Sequence, residues 1–71
     1  MKQYTDKLAK EYLREHPEVF AMSQNKDGEV VEWGDDPFRG SEQWFGNGLG
    51  LFEMLEHPDG WQNSKVTRDM I

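Results

Sequence analysis

Glu18-Val19-Phe20-Ala21-Met22-Ser23-Gln24, then Asn25-Lys26-Asp27-Gly28, then Glu29-Val30-Val31-Glu32-Trp33 is the stretch whose reading decides the fold. Two runs containing apolar residues flank a cluster of turn formers. Asn25 can brace a type I turn, and Gly28 supplies the positive φ that a bulged three-residue loop needs. The stretch predicts a β-hairpin over 18–33. If Asn25 pairs with Glu29, Ser23 faces Val31 and Ala21 faces Trp33 on one side, while Met22 and Gln24 flank Glu32 and Val30 on the other. Both faces are mixed, so a helix is expected to cover the sheet on one side only.

Upstream, Tyr4, Leu8, Tyr12 and Leu13 with Ala9 form an apolar stripe at helical spacing. Thr5 is placed to cap it, Asp6 suits the positive end, and Pro17 stops it by disfavouring helical geometry at His16. A helix over 5–15 is expected. Downstream, Gly34-Asp35-Asp36-Pro37-Phe38-Arg39-Gly40 reads as an acidic loop over 34–40. Ser41 can cap a short helix, and Leu51, Phe52 and Leu55 repeat at helical spacing, so one or two short helices are expected within 41–57. Asn47-Gly48 is also a type I′ turn signal, and a second hairpin in 42–54 is the alternative. The tail, 63–71, reads as a last helical turn or a frayed end. The fold class is α+β, a small single domain over 1–71.

With 71 residues and no cysteine, disulfides and thiolate metal sites are excluded. A core of this size supplies no more than about 3–5 kcal/mol net. The ring-rich middle must therefore provide much of it: Trp33, Phe45, Phe52 and Leu55 are the expected core residues, beside Leu8, Tyr12 and Val31. The N-terminal residues mix charge with apolar side chains and lack a signal-peptide core, and no run approaches a membrane span. A cytoplasmic protein with no membrane partner is expected.

Charge is strongly uneven. Between Asp27 and Asn63 nine acids face a single base, Arg39, a local net charge of −8, whereas 1–26 and 64–71 each carry +1. Such a field repels phosphate and attracts basic surfaces, and no basic stripe exists to neutralise a nucleic-acid backbone. Direct nucleic-acid binding is not expected. Phe38 and Trp44, set among these acids, are the rings expected at the surface as anchors.

These features lead to a small acidic protein–protein interaction module. Its expected role is that of an inhibitor or modulator that engages a basic surface, such as that of a nucleic-acid-binding enzyme, by charge mimicry, in the manner of small phage or mobile-element proteins. Glu32, Asp35, Asp36, Glu42 and Glu53 would supply phosphate-like charge, with Phe38 and Trp44 as partner-binding anchors. A structural subunit forming a homodimer is the alternative, with the surplus rings buried between copies.

Other chemistries have less to stand on. Glu15-His16-Pro17-Glu18 and Glu56-His57-Pro58-Asp59 repeat one tetrapeptide pattern and hold both histidines. His16 and His57 are thus the candidates for a third reading, a small metal-binding protein. Histidine followed by proline is also ordinary helix-end punctuation, so no metal site or cofactor is assigned. Asp35 and Asp36 lack EF-hand spacing. Gly46-Asn47-Gly48-Leu49-Gly50 lacks the ending of a phosphate loop. No nucleophile sits in a triad context, and no catalytic residue is assigned.

Overall fold

A computed structural model describes residues 3–56 and 60–71. One helix and six short strands form a mixed α+β architecture: α1 (Asp6–Glu15), β1 (Ala21–Gln24), β2 (Glu29–Trp33), β3 (Phe38–Arg39), β4 (Trp44–Phe45), β5 (Gly48–Met54) and β6 (Val66–Thr67). Single 3-10 turns occupy Trp61–Asn63 and Arg68–Met70. The strands build a four-stranded sheet in the order β5-β2-β1-β6, with antiparallel neighbours, and a separate two-stranded sheet of β3 and β4.

The helix begins where the sequence places its cap: the Thr5 hydroxyl accepts from the Leu8 N–H at 3.1 Å. The β1–β2 hairpin pairs Ala21 with Trp33, Met22 with Glu32, Ser23 with Val31 and Gln24 with Val30. Gly28, at φ 100°, takes the turn conformation that a side chain would oppose. This register sends Met22 and Val30 toward α1, where they pack with Tyr4, Ala9, Leu13, Val19, Leu55 and Val66. Ala21 and Trp33 face the other way and pack with Trp44 and Trp61. Both faces of the sheet are therefore covered, one by the helix and the other by tryptophans.

No helix forms among the described residues of 41–57, and three causes account for this. Glycines at 46, 48 and 50 each cost a helix roughly 1 kcal/mol relative to alanine. The outer side of β2 needs a hydrogen-bonding partner, which β5 supplies. Trp44 is drawn under the sheet, its backbone N–H donating to Asn25 Oδ1 at 2.8 Å and its indole N–H to the Trp61 carbonyl at 3.2 Å. The expected second hairpin has its strands but not its pairing, since β4 joins β3 and β5 joins β2. Asn47-Gly48 does not make a type I′ turn, because among the described residues only Gly28 has the positive φ that such a turn demands.

The acidic loop contains a short strand, and the tail adds one to the helical turn that the sequence allowed for it. Phe38–Arg39 is a strand, and Val66–Thr67 pairs with β1. Beyond β6, Arg68 holds the end of α1. Its guanidinium donates to the carbonyls of Leu13 and His16, both at 2.8 Å, and to that of Val19. Its backbone N–H meets the Phe20 carbonyl at 2.8 Å. The last carbonyls of a helix lack intrahelical partners and sit at its negative end, so a forked cation is suited to both deficits. Further in, Ser64 Oγ accepts from the Gln24 N–H at 2.8 Å, and the buried Tyr4 hydroxyl donates to the Ser64 carbonyl at 2.6 Å.

Arg68→Ala should therefore cost about 2–3 kcal/mol in denaturant unfolding, through loss of a charged donor to several carbonyls. Arg68→Lys should recover less than half, since an ammonium keeps the charge but not the fork. Equal stability of both variants and the parent would contradict this role.

Candidate functional site

The residues expected to meet a partner are distributed around the molecule. Glu32 lies on the helix side of the sheet, and its Oε2 accepts from the Tyr12 hydroxyl at 2.8 Å. Asp35 and Asp36 follow β2 at one end of the sheet. Asp35 Oδ1 accepts from the Asn47 N–H at 2.9 Å, and Asp36 pairs with Lys65 at 2.7 Å. Gly46 makes the first contact possible, because a Cβ there would come within 2.9 Å of that same Asp35 oxygen. Glu42 belongs to the turn between β3 and β4 at the other end, where its carbonyl accepts from the Lys26 N–H. Glu53 is exposed on β5.

The two expected anchors part company. Phe38 is 67% exposed, whereas Trp44 is only 6% exposed and belongs to the core. Lys65 Nζ, 5.7 Å from the centre of the Trp44 ring, bridges that indole to Asp36. The neighbour of Trp44 exchanges roles with it: Phe45, expected in the core, is 42% exposed and stacks on Phe38 with ring centroids 5.7 Å apart. In a strand, adjacent side chains take opposite faces, so placing Trp44 inside puts Phe45 outside. Phe45 also lies close over Gly40, whose missing Cβ leaves the room. Trp33 and Leu55 are buried as expected, and Leu8, Tyr12, Val31 and Phe52 pack partly buried against the two clusters.

Several surface residues were not foreseen. Leu49, Leu51 and Met54 on β5 are 49%, 54% and 56% exposed. The alternation Gly48-Leu49-Gly50-Leu51 is a strand signal that helical spacing further along obscured. Register shifts opposite Val30/Val31 and Glu32/Trp33 leave Phe52 and Leu49 as extra residues in β5. Phe52 reaches the helix side and meets Tyr12 edge-on, with centroids 4.8 Å apart. Leu8, Tyr12 and Phe52, together with Thr5, Lys7, Glu11 and Glu15, border an open groove of about 370 Å³.

His16 stacks on Tyr12 at 4.0 Å and pairs with Glu18 at 3.5 Å. His57, its suggested metal partner, lies outside the described residues, among which no group of three metal-ligating side chains assembles. No helix among the described residues is long and apolar enough to cross a membrane. Compared with known proteins, the chain matches no family model, no curated protein and no solved structure.

Burial pushes the Tyr12 phenol up to about 12 from the usual 10, with help from the hydrogen bond and charge of Glu32 and the charge of Glu18. Tyr4 is raised too, by burial and then by Asp6. For Tyr12 the unfolded chain releases its proton near pH 10 while the folded chain keeps it until about 12. Its contribution to stability is therefore complete below pH 10 and declines as pH rises through that window. Phenolate absorbance should show one tyrosine titrating near pH 12 in the parent and absent in Tyr12→Phe. A titration near 10 at this site would refute the partly buried, carboxylate-bonded geometry.

Proposed function

We propose that this chain is a small acidic interaction module that engages a basic surface of a partner protein, as an inhibitor or modulator of a nucleic-acid-binding protein whose site it occupies by charge mimicry. The observation that carries this reading is the unpaired charge. Nine acids occupy 27–63, and among the described ones only Asp36 meets a cationic side chain, that of Lys65. Asp35, Glu42 and Glu53 are exposed and free of cationic side chains there, so they present charge outward. The exposed Phe38–Phe45 pair offers apolar anchorage, in place of the Phe38 and Trp44 pairing that the sequence suggested.

A second reading, a homo-oligomeric assembly subunit, draws support from the exposed Leu49, Leu51 and Met54. Like charge on both copies opposes it. Sedimentation separates the two, since the assembly reading requires a mass that rises with concentration.

The interaction reading is tested by capture from nuclease-treated lysate of the source cell or its host. The expected partner is a basic protein that added salt or free nucleic acid displaces. Glu42→Gln and Glu53→Gln combined should weaken its binding about fivefold or more, chiefly through slower association, while leaving thermal stability unchanged. Binding that ignores both salt and these substitutions would sink the proposal.

A further inference from the structure

We propose that the outer edge of β5 receives an extended basic segment of the partner as a fifth strand, with its basic side chains entering the groove beneath α1. This rests on the reading that the partner is basic, and it specifies how and where that partner binds.

Three independent features converge on the site. The first is the edge itself. β5 ends the sheet order and runs for seven residues; the extra residues Leu49 and Phe52 bend it, but it carries neither lysine nor proline, the residues that commonly block an edge from pairing. Among the described residues no strand pairs with the outer side of Gly48–Met54, and the one further bridge, Gln3 with Glu56, falls beyond its end. The opposite edge, β6, has only two residues and offers little to pair with.

The second is the groove. Its lining comes from Thr5, α1 and Phe52 of β5, with no residue of β1, β2 or β6, so it lies between the helix and the Phe52 ring. Leu8, Tyr12 and Phe52 give it apolar and aromatic walls, and Glu11 and Glu15 line it with Lys7 from exposed positions on α1, two acids against one base. A long basic side chain fits both halves of this character. Its aliphatic stem can lie on the rings while its charged head reaches the carboxylates.

The third is charge. β2 and β5 together carry Glu29, Glu32 and Glu53 and no base. A second copy of the chain would bring the same acids to the same edge, whereas a basic strand complements them. Leu51 lies opposite Val31, which packs on the tryptophan side of the sheet. The incoming strand should therefore alternate apolar residues toward that side with Lys or Arg toward the helix.

The test is selection of a random displayed peptide library against the immobilised full chain, followed by study of the enriched peptides as synthetic probes. Enriched sequences should alternate Lys or Arg with apolar residues and protect β5 backbone amides from hydrogen exchange. Methylating alternate backbone nitrogens of the peptide should weaken binding about tenfold or more, as loss of strand pairing requires. Glu11→Lys with Glu15→Lys, both at exposed helix positions, should weaken it about fivefold or more without changing the parent fold. Basic peptides that bind while leaving β5 amides unprotected would overturn this site and leave the basic-partner reading standing. Enriched peptides without basic residues, or none at all, would overturn the strand-addition proposal, while the basic-partner reading stands or falls with the capture experiment. Concentration-dependent association of the chain with β5 protected in the absence of peptide would assign the edge to a second copy instead.

Discussion

One guanidinium holds together segments that no local interaction would join. Arg68 binds carbonyls from the last turn of α1, from His16 and from Val19, while its own backbone continues the pairing of the tail with the start of β1. Helix, sheet and tail meet at that side chain. Nearby, Ser64 bonds the Gln24 backbone, and Tyr4 reaches across to the Ser64 carbonyl, so the same tail also closes the far end of β1 against the start of the helix. With no cysteine available, these polar contacts between distant segments supply the cross-bracing that a disulfide provides in other small domains.

The two faces of the sheet divide the work differently. Aliphatic residues fill the helix side. On the other side Trp33 and Trp44 are each buried with a bonded indole, Trp33 donating to Ser23 Oγ at 2.8 Å and Trp44 to the Trp61 carbonyl. A buried indole N–H without a partner would lose much of what its ring gains, so polar satisfaction is part of why these rings serve as core. Asn25 links the two sheets, its Oδ1 accepting from Trp44 and its Nδ2 donating to Glu29 Oε1 at 3.1 Å. The surface then inherits what the core leaves over: Phe38, Phe45 and the leucines of β5.

What the sequence made legible was local. Thr5, Pro17 and the 3.6-residue stripe define α1 from neighbouring residues alone, and Asn25 with Gly28 sets the hairpin register to the residue. The remainder depends on partners far along the chain. Whether Leu49–Met54 becomes helix or strand is decided by the unpaired side of β2, and whether Trp44 or Phe45 turns inward is a one-residue parity in a two-residue strand. The candidate surface follows the same division. Excess acid is visible in composition, but the pairing of Asp36 with Lys65 and of Glu32 with Tyr12 arises only from the folded arrangement.

The Arg68 clamp also imposes an order of events on the folding chain. Its bonds to Leu13, His16 and Val19 close loops of 55, 52 and 49 residues. During synthesis the helix and hairpin can meet early through Met22, Val30 and the Tyr12–Glu32 bond, but the clamp itself cannot close until residues 64–68 have left the ribosome. The clamp is thus a contact of high sequence separation, and its closure carries the entropy cost of a long loop.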